Sequence, residues 1–60
     1  MKIKIDDFTF TFHEQDNVQL KDINRACEQY KKDCIECGNK TREFFFSNPV
    51  ELMVMVYGNV

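Results

Sequence analysis

The sequence predicts an α+β domain of order ββαββ, with one helix covering one face of a four-stranded, mainly antiparallel sheet. Three observations lead there. Two short stretches near the start alternate with period two, one long apolar stripe has helical spacing, and two later stretches are rich in aromatic and β-branched residues. Sixty residues make one small domain, 1–60, with no room for separate cofactor and substrate lobes.

The first element pair is a hairpin. Lys2-Ile3-Lys4-Ile5 alternates, Asp6-Asp7 interrupts, and Phe8-Thr9-Phe10-Thr11-Phe12 alternates again. A two-residue loop pairs Ile5 with Phe8 and Ile3 with Phe10. Every apolar side chain then falls on one face, with Lys2, Lys4, Thr9 and Thr11 on the other.

A helix follows. Asp16, with Gln19 three residues on, has the form of a capping box. Leu20, Ile23, Cys27, Tyr30, Cys34 and Cys37 then recur at alternating spacings of three and four, one continuous amphipathic stripe. Lys21, Asp22, Arg25, Glu28, Lys32, Asp33 and Glu36 form a solvated opposite side of mixed sign. Gly38-Asn39 is the stop, because glycine takes the left-handed conformation that closes a last turn.

Glu43-Phe44-Phe45-Phe46 and Glu51 to Tyr57 read as a second pair of strands, separated by a turn at Ser47-Asn48-Pro49. An all-antiparallel order 1-2-4-3 puts the most apolar strand inside. Leu52, Val54 and Val56 then face the helix while Met53, Met55 and Tyr57 face away. An odd-length turn places Phe44 and Phe46 under the helix and Phe45 on the far face; an even-length turn exchanges them.

Either way the second hairpin is apolar on both sides, and one helix covers only one. Phe45, Met53, Met55 and Tyr57 are therefore the expected contact surface, since Phe, Tyr and Met are enriched in interface cores and Met adapts to irregular partners. A chain this small has reason to bury more surface. A homodimer is the simplest outcome, because one patch serves both partners; a different protein target is the other.

The cysteines carry two readings. Cys34-Ile35-Glu36-Cys37-Gly38 has the C-x-x-C-G form of a zinc knuckle, in which two thiolates hold one ion at about 2.3 Å. A full set would have to recruit Cys27 and His13, or be shared between two chains. Burial accounts for the same residues more simply, because Cys27, Cys34 and Cys37 all lie on the apolar stripe. No cofactor is expected, with zinc as the alternative.

Catalysis is not expected. His13 is the only histidine and has no nucleophile at a telling spacing, and no glycine-rich phosphate loop is present. The net charge of −2 gives no basic footprint for nucleic acid. Arg25, Lys31, Lys32, Lys40 and Arg42 nonetheless leave a zinc-stabilised nucleic-acid module as the alternative function. No apolar run approaches the roughly 20 residues of a membrane span. With no charged-then-apolar leader and three cysteines, the expected setting is the reducing cytoplasm. The expected role is that of a small non-catalytic interaction module. Size alone suggests an accessory or inhibitory factor of the kind viruses encode.

Overall fold

The computed structural model describes residues 1–58, in which β1 (Lys2–Ile5), β2 (Phe8–Phe12), α1 (Leu20–Glu36), β3 (Glu43–Phe46) and α2 (Pro49–Tyr57) follow in order. The class is α+β. The detail differs from expectation, with three strands and two helices in place of four strands and one.

The first hairpin forms in the expected register, Ile3 opposite Phe10 and Ile5 opposite Phe8. Asp6 takes a φ of 54°, a left-handed conformation that Asp tolerates better than most residues. Ile3, Phe8, Phe10 and Phe12 are buried, whereas Lys2 and Lys4 are exposed. Beyond β1, the Met1 ammonium donates to the Phe12 carbonyl at 2.9 Å and the Phe12 N–H donates to the Met1 carbonyl at 2.8 Å.

The capping box at Asp16 does not form. The helix begins later, with Gln19 at the N-cap and no side-chain cap bond. The cause lies in the sheet: the His13 and Glu14 N–H groups donate to the Phe46 and Ser47 carbonyls at 3.1 and 2.9 Å. Those bonds keep the chain at the sheet through residue 14, and residues 15–19 are needed to cross to the helix layer. Leu20, expected in the core, is consequently exposed at the helix entrance. Ile23, Ala26, Cys27 and Cys34 form the buried face, with Tyr30 half-buried beside them.

α1 ends at Gly38, where φ is 76°. The Asn39 N–H donates to the Cys34 carbonyl at 2.9 Å and the Gly38 N–H to the Ile35 carbonyl at 3.0 Å, the paired bonds of a Schellman stop. The glycine stop was legible in the sequence. Cys37, expected on the buried stripe, sits at the C-cap and is exposed.

β3 pairs with β2, and the pairing is parallel, with Phe10 opposite Phe44 and Phe12 opposite Phe46. The sheet order is β1-β2-β3, which replaces the all-antiparallel 1-2-4-3 order. A helical crossover leads naturally to a parallel neighbour, because α1 returns the chain to the end from which β2 started.

The fourth strand is a helix. Asn48 at the N-cap accepts from the Glu51 N–H at 2.9 Å, Pro49 opens the first turn, and the Glu51 carboxylate accepts from the Ser47 N–H at 2.7 Å. Reciprocal satisfaction of two end groups sets residues 49–57 helical despite their β-branched content. α2 closes at Gly58, whose N–H donates to the Val54 carbonyl at 2.8 Å.

Both helices lie on the same side of the sheet, around one core. Phe10 stacks on Phe44 with ring centroids 5.2 Å apart, and Phe12 on Phe46 at 5.7 Å. The Tyr30 ring meets Phe44 and Phe46 edge-on at 4.9 and 5.6 Å. These are the two favoured aromatic geometries, and with the edge-on contact of Tyr30 to Phe10 they join α1 to β2 and β3. Leu52 of α2 is fully buried in the same cluster.

Candidate interaction surface

The four residues expected to form one patch are divided by the helical course of residues 49–57. Phe45 is 66 % exposed and lies on the open face of the sheet, opposite both helices, in register with Thr11 and Lys2. Its placement there, with Phe44 and Phe46 inward, is the arrangement expected for an odd-length turn. Met53 turns inward and packs, half-buried, against the core. Met55 and Tyr57 are exposed on α2. A period of 3.6 cannot keep residues 53, 55 and 57 on one side, as a strand would.

What gathers on the outer side of α2 is Val50, Val54 and Tyr57, at i, i+4 and i+7, each about half exposed, with Met55 along the border. Val50 and Val54 were not expected there. In a strand Val54 points with Leu52 and Val56; in the helix Leu52 is buried and Val56 half-buried, and Val54 turns outward. The signal that could have found this face is Asn48-Pro49-Val50-Glu51, an N-terminal helix signature. Glu51 is the only charged residue between Pro49 and Tyr57.

A cleft of about 280 Å³ lies between the C-terminal end of α1 and α2, lined by Tyr30, Asp33, Cys34, Cys37, Asn39 and Met55. Burial pushes the Cys34 thiol up, with Cys37 and then Asp33 adding to it. Burial likewise raises the Tyr30 phenol, with Cys34 adding a smaller push. Cys27 lies deeper in the core, and burial, helped by Glu28, pushes its thiol up to about 12.

The zinc set considered from the sequence is not brought together. Cys27 is enclosed in the core and Cys37 is exposed at the helix end. His13 pairs with Phe46 at one end of the sheet, whereas the C-terminal half of α1, which carries Cys34, runs to the opposite end, where Lys31 meets Asp6. Among the described residues, no three His, Cys, Asp or Glu side chains converge on a metal position.

Two of the cations in the expected basic cluster are engaged at the hairpin tip. Lys31 forms an ion pair with Asp6, and the Arg42 Nε donates to the Asp7 carboxylate at 3.1 Å. The Arg42 guanidinium also lies 4.6 Å from the centre of the Phe8 ring. No helix among the described residues is long and apolar enough to cross a membrane. Compared with models of known protein families, with curated proteins and with solved structures, the chain matches none.

Proposed function

We propose that this chain is a non-catalytic protein-interaction module that self-associates through the outer face of α2. The observation that carries the proposal is the exposure of Val50, Val54 and Tyr57 along one side of a helix whose other side already holds the core. A surface helix normally turns charged residues to water, and this one has only Glu51 to offer. A second copy is the most economical occupant, since two α2 helices related by a twofold axis cover each other with the same residues. Three free thiols suit work in a reducing compartment such as the cytoplasm. An accessory or inhibitory role is the kind such a module would serve.

Sedimentation equilibrium of the reduced chain, alone and as Val54→Glu, tests the proposal. The wild type is expected to dimerise with rising concentration. Val54→Glu is expected to stay monomeric with an unchanged circular dichroism spectrum, because a charge at that position opposes desolvation of the interface. A wild type that remains monomeric at its highest soluble concentration overturns self-association.

A further inference from the structure

We propose that the cleft between the end of α1 and α2 binds one Cu(I) ion through the Cys34 and Cys37 sulfurs, with the Met55 thioether as third donor. The three sulfur-bearing side chains line one cleft and come from both of its walls. Cys34 and Cys37 are i and i+3 on α1, so their Cβ atoms lie about 5–6 Å apart on the same side of the last turn. Cys37 keeps helical backbone angles, φ −80° and ψ −4°, so that spacing is maintained up to the Schellman stop. Met55 projects from α2, is 56 % exposed, and brings a polarizable sulfur on an unbranched chain that can adjust its reach.

Asp33 and Asn39, which also line the cleft, each have one side-chain oxygen engaged. The Asp33 carboxylate accepts from Gln29 Nε2 at 3.0 Å, and the Asn39 side-chain oxygen accepts from the Thr41 N–H at 2.9 Å. His13 lies at the far end of the sheet. Asp33 lines the cleft but, among the described residues, does not complete a three-ligand group with the two cysteines. The set of two thiolates and one thioether is therefore soft and low in coordination number. Structural zinc closes a tetrahedron of four ligands; Cu(I) is selected by thiolate and thioether sulfur. The cleft lies beside the outer face of α2, shares Met55 with its border, and takes its three donors from one copy of the chain.

The test is an anaerobic titration of the fully reduced chain against the coloured Cu(I)–bicinchoninate complex, with ascorbate holding copper as Cu(I). The wild type is expected to withdraw one Cu(I) per chain and to keep it when equimolar Zn(II) is added. Cys37→Ser removes a thiolate donor and is expected to weaken uptake by at least the roughly hundredfold lost with an outer-shell partner, and Met55→Leu, which removes the weaker thioether, by about tenfold. Both positions are exposed, and circular dichroism of each variant confirms that the fold persists. Cys27→Ala is expected to titrate like the wild type. The proposal is overturned if the wild type leaves Cu(I) with the chelator, if Zn(II) displaces it, or if Cys27→Ala loses uptake. It is equally overturned if folded Cys37→Ser or Met55→Leu binds as tightly as the wild type.

Discussion

The Asn48 side-chain oxygen lies 2.9 Å from the Glu51 backbone nitrogen, and this one bond marks where a stretch rich in valine and methionine becomes a helix. Asn48→Ala removes the cap and is expected to cost about 1 kcal/mol. Urea denaturation of the purified variant measures the loss. An unchanged midpoint would show that packing of Leu52 alone holds α2 in place.

The aromatic stack is expected to dominate stability. Phe10 is fully buried and touches Phe44, Phe46 and Tyr30. Phe10→Ala should cost about 3–5 kcal/mol. Stability of roughly 0.05–0.15 kcal/mol per residue gives a sixty-residue chain about 3–9 kcal/mol in all, so that loss removes a large share of it. Amide dispersion in a two-dimensional NMR spectrum is expected to collapse, and a well-dispersed spectrum would contradict the assignment of Phe10 to the centre of the core.

At the hairpin tip, Arg42→Ala is expected to destabilise more than Asp7→Ala. Both lose the same exposed ion pair, which contributes about 0.2–1 kcal/mol and fades with salt. Only Arg42→Ala also uncovers the Phe8 ring. Thermal midpoints of the two variants at high salt isolate the ring contact, and equal midpoints would assign Arg42 no role beyond the pair.

Stability should decline in alkali. The Cys27 thiol is raised from its ordinary 9.0 to about 12 in the fold, chiefly by burial. Between those values the unfolded chain gives up a proton that the folded chain keeps. The full contribution is therefore present below about pH 9 and is lost towards pH 12, at about 1.4 kcal/mol per pH unit. Tyr30 and Cys34, raised in the same direction, steepen the decline. Denaturation curves from about pH 8 to 10.5 should show a shallower slope for Cys27→Ala, and parallel slopes would refute Cys27 as a source.

Phe45 and Val54 separate the two sides of the molecule. Phe45→Thr changes an exposed residue on the open sheet face and should move stability by no more than about 0.5 kcal/mol. It should also leave association unaltered, because the outer face of α2 lies on the other side of the sheet. Loss of dimer in Phe45→Thr, measured by sedimentation, would move the interface to the sheet.

The hairpin was legible because its two runs alternate cleanly, and a shift of one residue would have turned Phe8, Phe10 and Phe12 to solvent. The stripe through Ile23, Cys27, Tyr30 and Cys34 was legible because its period holds for about three turns. At its two ends the same stripe misled: Leu20 and Cys37 keep the period but lie where the helix has left the core. The fourth strand failed for a different reason. Composition from Val50 to Tyr57 favours a strand, whereas a single asparagine, a proline and a glutamate at its start favour a helix, and the capped ends prevailed. Misreading that element also hid Val50 and Val54 on the outer face, and the cleft that Met55 lines together with Cys34 and Cys37.

Pairing β2 with β3 places Phe10 beside Phe44, residues separated by the whole of α1. The hairpin can close locally within microseconds, yet it gains almost nothing until the crossover delivers its third strand. A segment ending before Glu43 would keep α1 over the hairpin, with Tyr30 edge-on to Phe10, but would lose Phe44 and Phe46, which stack on Phe8, Phe10 and Phe12. The core is therefore closed by a contact between segments far apart in sequence, a non-local pairing that slows folding relative to the local hairpin.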